Sequence, residues 1–189
     1  MEPKEVKKES QESFFKETLH FAFITLIIVL PIRIFIAEPF IVSGASMLPT
    51  FENGNYLIVD RLSYRITDPK RGEVIIFRYP KDTSKYFIKR IVGLPGETVE
   101  LSGTDIIIKN VNHPNGLKLD QSYISRQKSE TFKVTLPSNQ YFVMGDNRSQ
   151  SSDSRYWGSL PREYITGRAL LRLFPLNEIN YLPGNHQSI

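Results

Sequence analysis

The chain contains no cysteine. That absence excludes a disulfide framework, a thiol nucleophile and a cysteine-based zinc site. It is compatible with an extracytoplasmic setting, although many cytosolic chains also lack cysteine. Histidine is nearly as scarce, with three copies. His20 lies in an apolar stretch, His113 in a Pro-Asn-Gly turn and His186 in a polar tail. None has the buried, oriented setting that a Ser-His-Asp triad needs. No ligand cluster for a metal is legible, so no metal or other cofactor is expected. Charge of one sign never accumulates: 24 Lys and Arg are dispersed among 20 Asp and Glu, for a net charge of +4. Such a surface favours anionic lipid mildly and argues against nucleic-acid binding. Internal repeats and low-complexity tracts are also missing.

What is present begins with 189 residues, 40% of them hydrophobic and 12% aromatic, enough for one core-bearing domain plus a short anchor. Residues 1–17 are polar, with Lys4, Lys7, Lys8 and Lys16 among glutamates. From Leu19 to Ala37 the chain reads LHFAFITLIIVLPIRIFIA. At helical rise that stretch covers ~28 Å, close to the ~30 Å hydrocarbon core of a bilayer. His20 and Arg33 sit toward its ends, where polar tips reach the interface, and Pro31 is tolerable there. Ala37 is followed by Glu-Pro-Phe, so no small-x-small cleavage site follows cleanly. An uncleaved transmembrane anchor over 18–37 is therefore expected, ahead of a buried core helix or a cleavable signal peptide. The expected topology is single-pass in the cell membrane, with a cytoplasmic tail at 1–17 and residues 38–189 outside.

Those residues are dominated by short β-branched and aromatic runs: Tyr56–Asp60, Glu73–Phe77, Tyr86–Val92, Thr98–Leu101, Asp105–Lys109, Thr131–Thr135, Tyr141–Met144 and Ala169–Phe174. Turn signals such as Asn53-Gly54, Leu94-Pro-Gly96 and Pro114-Asn-Gly116 separate them. Only two short helical pieces are expected, near Asp60–Tyr64 and Arg162–Ile165. The pattern predicts a mainly β domain of antiparallel sheets, folded over and barrel-like, behind one N-terminal transmembrane helix. Residues 110–130 read as a polar surface excursion.

Ser46 opens the run Ser-Met-Leu-Pro-Thr, and Lys89 follows Phe87-Ile88. A serine hydroxyl is a poor nucleophile until a base takes its proton. With histidine disfavoured, lysine is the alternative. Its ordinary pKa of ~10.4 leaves about 1% or less neutral near pH 8, and useful base catalysis needs ~7–8. Reaching that range costs about 3.5–4 kcal/mol, which burial in apolar surroundings can supply. Strand alternation puts Phe87, Lys89 and Ile91 on one face, with Ile88, Arg90 and Val92 on the other. From this pattern alone, Lys89 could equally be a lysine snorkelling from an edge strand.

Four segments taken together resemble the successive motif boxes of bacterial type I signal peptidases, in order and spacing. They are Ser43–Thr50, Arg71–Phe77, Phe87–Glu97 and Gly145–Gly158. The resemblance covers roughly residues 15–176 and includes the N-terminal anchor. It implies a membrane-anchored serine endopeptidase with a Ser/Lys dyad and a mainly β catalytic domain over 38–189, which removes signal peptides from exported preproteins. By position, Ser46 corresponds to the nucleophile and Lys89 to the general base. Ser151 corresponds to the serine that holds the lysine amine, while Ser149, Ser152 and Ser154 read as solvated or structural. Asp146 pairs with Arg90 in this reading, and Asp153 with Arg155, as scaffold. Enterobacterial members place an oxyanion-binding serine two residues before the nucleophile. Here that position is Gly44, as in many Gram-positive relatives, which leaves the Ser46 N–H and an unidentified second donor. Phe87 replaces a common tyrosine.

Phe40, Val42, Met47, Phe51, Phe87 and Ile88 fall where the family lines two shallow pockets for small side chains. An extended preprotein would pair with a strand edge there. The expected partners are exported preproteins and membrane lipid, with the enzyme a monomer. Two alternatives stay open at this point: a self-cleaving repressor-type Ser/Lys protease, and an inactive membrane-anchored β scaffold.

Overall fold

The computed structural model describes residues 4–31, 37–124 and 127–186. The chain divides into two units, Met1–Glu38 and Pro39–Ile189. In the first unit a helix, α1, spans Lys4–Pro31. The polar leader is thus part of the same helix as the apolar stretch. The expected anchor at 18–37 falls partly on residues 32–36, outside the described residues. Among the described residues, no helix is long and apolar enough to cross a membrane. From Thr18 to Pro31 the apolar part of α1 is shorter than the ~20 residues a span requires.

The second unit carries most of the strands. These are β1 (Ala37–Ile41), β2 (Tyr56–Asp60), β3 (Val74–Tyr79), β4 (Asp82–Gly93), β5 (Thr98–Gly103), β6 (Asp105–Lys109), β7 (Leu117–Lys118), β8 (Glu130–Thr135), β9 (Gln140–Met144), β10 (Leu160–Pro161), β11 (Ile165–Phe174) and β12 (Asn180–Tyr181). Two one-turn helices punctuate them, α2 (Ser63–Ile66) and α3 (Ser154–Trp157). One sheet runs β1-β2-β11-β3-β4-β9-β10, with β12 added on β11. The other runs β7-β6-β5-β8. Pairings from β2 through β10, and throughout the second sheet, are antiparallel.

Neither sheet closes on itself. The expected barrel-like arrangement is corrected to two open antiparallel sheets. The chain passes from one sheet to the other at Gly93, where β4 leaves the first sheet and turns into β5 of the second. A Cβ on Gly93 would come within 2.4 Å of Val99 Cγ2 and 2.8 Å of Leu136 Cδ1. Only glycine permits so close a crossing. The buried Glu97 carboxylate fastens the corner, accepting from the Leu94 N–H at 2.8 Å, Arg71 Nη2 at 2.6 Å and Asn110 Nδ2 at 2.8 Å. Beyond it, Val99, Leu101, Ile106 and Ile108 pack with Val92, Phe142 and Met144 of the first sheet.

The first sheet is apolar on both faces. Val74 and Ile76 of β3 join Val42, Met47, Phe51 and Leu57 on one face. Ile75 and Phe77 join Ile91, Tyr141, Val143 and Leu160 on the other. A strand covered on both sides reads as a continuous apolar run, and Val74-Ile-Ile-Phe77 does. The 110–130 excursion is not wholly a surface feature: it contributes β7, and Leu119 is buried in the core beside β6. We expect Gly93→Ala to destabilise the fold by about 1–3 kcal/mol, read as a lowered urea midpoint with an unchanged slope.

Candidate active site

Ser46 stands at the start of a tight turn after β1, closed by the Phe51 N–H donating to the Met47 carbonyl at 2.9 Å. Met47 and Phe51 are fully buried and root this turn in the core. Both were expected in a substrate pocket; they pack in the cluster that holds Val42 and Ile88 of the cleft wall, beneath the turn. Lys89 sits on β4 opposite Ile75 of β3. The strand alternation is as expected, with Phe87 and Ile91 in one apolar cluster and Ile88 packed against another.

This geometry brings Lys89 Nζ to 2.7 Å from Ser46 Oγ and 2.8 Å from the Ile88 carbonyl oxygen. An ammonium donates in both contacts. A neutral amine can instead accept the Ser46 hydroxyl proton. Lys89 is 4% exposed, and burial pushes its pKa from 10.5 down to about 8, against the opposing pull of Asp153 and Asp146. Its Nζ lies 5.3 Å from the Phe87 ring centre.

Both expected scaffold pairs form. Arg90 Nε donates to Asp146 Oδ1 at 2.8 Å and Nη2 to Oδ2 at 2.5 Å, with both side chains almost wholly buried. Thr50 Oγ1 donates to the same carboxylate at 2.5 Å, tying it to the far end of the Ser46 turn. Arg155 Nε and Nη2 grip Asp153 at 2.8 and 2.9 Å. Asp153 also accepts the Gly145 N–H at 3.0 Å and caps α3 through the Arg155 N–H.

Ser151 comes to the site but makes no hydrogen bond to the lysine. Its hydroxyl is buried without a hydrogen-bond partner. Both Ser151 Oγ and the Ser46 carbonyl oxygen crowd the point where a side chain on Gly145 would begin, at 2.3 and 2.4 Å. Glycine at 145 is what lets those two segments close on one another. Ser149 and Ser152 are exposed, and Ser154 Oγ accepts the Val143 N–H, as expected of solvated and structural serines. Gly44 adopts φ +96°, and its N–H is spent on Asn53 Oδ1 at 3.0 Å. A Cβ there would meet nothing within 4 Å, so the backbone conformation, not space, calls for glycine.

Sequence reasoning gave Asn147 no role. Its N–H donates to the Ser46 carbonyl at 3.0 Å and its Nδ2 to the Ala45 carbonyl at 3.1 Å, so one residue fixes the peptides on both sides of Ser46. Asn147 lies within the Gly145–Gly158 motif box, but its contact across the chain was not legible there. Phe40, Val42, Phe87 and Ile88 line a cleft with Ser46 and Lys89, joined by Ser43, Tyr86, Leu57 and others that the sequence did not single out. Tyr86 packs edge-on against Phe40 at 5.2 Å. Among the described residues, 82–88 of β4 pair with β3 alone, because pairing to β9 starts at Arg90. One edge of β4 therefore lies open beside the cleft.

A mainly β domain with a hydroxyl set against a buried amine has the character of a hydrolase. Residues 15–174 match the family described as signal peptidase, peptidase S26. Over 164 residues the chain is 40% identical to a probable signal peptidase I-2 from Synechocystis, covering 83% of this chain and 72% of that one. It is 37% identical to signal peptidase I T of Bacillus subtilis over 169 residues, 82% and 83% of the two chains. A crystal structure of a signal peptidase I from Enterococcus faecalis is 32% identical with a TM-score of 0.46, covering 55% of this chain and 97% of that one. The chain belongs to the signal peptidase family, peptidase S26. It is a hydrolase of the signal peptidase I type, whose substrates are preproteins bearing signal peptides.

Holding the amine in the core has a stability consequence. The folded pKa lies below the unfolded one, so between about 8 and 10.5 the native state binds fewer protons. The penalty is complete below the lower value and fades as pH rises through the upper one. Lys89→Met is expected to be more stable than the parent near pH 7, by up to about 3 kcal/mol, with the gain shrinking toward pH 10.5. Urea unfolding at the two pH values measures it. A methionine variant that is less stable at pH 7 would show that burial is not what lowers the pKa.

Proposed function

We propose that Ser46 and Lys89 form a catalytic dyad that removes signal peptides from exported preproteins by acyl transfer at the outer face of the cell membrane. The observation that carries this reading is the 2.7 Å contact between a hydroxyl and an amine whose pKa is pulled down to about 8. Neutral Lys89 takes the Ser46 proton as Ser46 Oγ attacks the scissile carbonyl. The ammonium so formed gives that proton to the leaving amine. A water, deprotonated by the same lysine, then opens the ester and releases the signal peptide. Once Ser46 is esterified its hydroxyl proton is gone, and Ser151 Oγ, unpartnered at rest, is the group left to steady the amine. The Ser46 N–H meets the developing oxyanion, since the Gly44 N–H is already committed.

The open edge of β4 accepts the preprotein as an added extended strand. Alternate side chains then face the walls made by Phe40, Val42, Phe87 and Ile88, which leave room for small residues. Anchoring through residues 18–37 fits this geography, because Ser46 follows Ala37 by nine residues and stays within ~32 Å of it along the chain. Leu19, Phe21, Phe23, Leu26 and Ile27 on α1 are each more than half exposed, an apolar surface suited to lipid. The reading takes the enzyme as a monomer, and the steps call on no cofactor.

Ser46→Ala and Lys89→Arg should remain folded and cleave a preprotein about 10²–10⁴-fold more slowly, the guanidinium being permanently protonated. For the parent enzyme kcat/KM should rise with pH to a plateau, with a midpoint near 8 set by Lys89. Near-normal cleavage by Lys89→Arg would remove the lysine from its role as base.

A further inference from the structure

Residues 182–186 lie beyond the stretch that matches the family. They fold back as a strap. The Leu182 N–H donates to the Leu170 carbonyl of β11 at 2.7 Å, which seats the strap on the first sheet. Leu182-Pro-Gly-Asn185 then makes a tight turn, closed by the Asn185 N–H donating to the Leu182 carbonyl at 3.1 Å. Gly184 at its third position has φ +74°, as a type II turn requires, and proline suits the second. The turn delivers the Gly184 carbonyl to Arg90 Nη1. A Cβ on Gly184 would lie 2.5 Å from Thr50 Cγ2 and 3.3 Å from Arg90 Nη2. Past the turn, the His186 ring stacks on Tyr123 with centres 4.7 Å apart and planes 11° apart. The Tyr123 ring in turn lies 4.2 Å from Arg90 Cζ.

Arg90 is thus covered by the strap and by the ring the strap supports. Its partners reach both halves of the proposed dyad. Arg90 follows Lys89 on β4. Asp146 holds Thr50 at the end of the Ser46 turn, and its neighbour Asn147 holds the Ser46 carbonyl. The attraction within an ion pair falls as the effective dielectric rises. Water admitted to the pair would loosen the tie between β4 and the Ser46 turn. A misplacement of about 1 Å between nucleophile and base costs on the order of 10²-fold in rate.

We infer that Gly184 and His186 are positioning residues: the strap at 182–186 dries and clamps the Arg90–Asp146 pair and so holds Lys89 in register with Ser46. The inference rests on the dyad reading. No strap residue lines the cleft, so the strap acts on the chemical step and leaves substrate binding alone.

The test compares the full chain in detergent with four variants in a preprotein cleavage assay that separates kcat from KM. The variants are a chain lacking 183–189, Gly184→Ala, His186→Ala and His186→Phe. Removing the strap should lower kcat about tenfold or more with KM within about twofold, in protein whose circular dichroism is unchanged. Gly184→Ala should act in the same direction. His186→Ala should lower kcat by about threefold, and His186→Phe should restore it by keeping the stack. Parental kcat in the folded truncated chain, or a raised KM at parental kcat, overturns the inference. If the truncated chain does not fold, the two His186 variants decide, and equal kcat values for them overturn it. Ser46→Ala run alongside keeps the two ideas apart: activity there would sink the dyad and the inference with it, whereas an inactive Ser46→Ala beside parental kcat in the strap variants would sink the strap alone.

Discussion

An amine takes a proton from a hydroxyl near neutral pH only where water cannot hold the ammonium. On the proposed dyad reading, that constraint organises the centre of this molecule. Lys89 is placed on a central strand with apolar neighbours on its own face, and the Ser46 turn is set down over its tip. Burying one amine costs about as much as a small domain's core can spare, since net stabilities are only about 5–15 kcal/mol. The surrounding order is correspondingly dense. Met47 and Phe51 root the turn, Asn147 fastens its backbone, and Thr50 ties its end to Asp146.

The two buried carboxylates make sense in the same terms. Asp146 and Asp153 are near enough to favour the charged lysine, and both work against the lowered pKa. Each is locked onto an arginine, Asp146 to Arg90 and Asp153 to Arg155. An arginine cannot give up its charge, so each carboxylate stays balanced whatever the lysine does. The carboxylates can then serve as rigid acceptors for Thr50 and for the Gly145 N–H without handing the lysine a counter-ion. A buried ion pair adds little net stability over an apolar replacement, but breaking one partner is costly, which suits a part whose use is geometric.

Local patterns were legible where the physics is local. Alternation through Phe87, Lys89 and Ile91 is realised on β4, and the β-branched runs became strands with ends displaced by a few residues. The four motif boxes pointed to the right family and to a serine and lysine that do meet. Positions decided by distant segments were not legible. Nothing local said that Met47 and Phe51 would be wholly buried, because a turn has no alternation to say which way a side chain faces. Gly93 sits in an apolar run and gives no sign that the chain leaves one sheet for another there. His186 read as part of a polar tail, yet its partner Tyr123 is far away in sequence. Gly44 was read as a lost donor, whereas its positive φ and committed N–H give the glycine a backbone reason.

The open edge of β4 poses a further problem that the sequence has met locally. A strand edge that must stay free for a peptide is equally free for another copy of the chain. The outer part of the hairpin carries Lys81, Asp82 and Lys85, with Lys85 paired to Asp82 at 2.8 Å in exposed positions. Two such edges brought together would set like charges and their hydration shells against each other. The apolar pair Phe87-Ile88 is confined to the inner part, beside the cleft that Phe40 and Val42 also line. Charge at the tip disfavours pairing with a second copy, and on the proposed reading it leaves the inner edge to an extended peptide with small side chains.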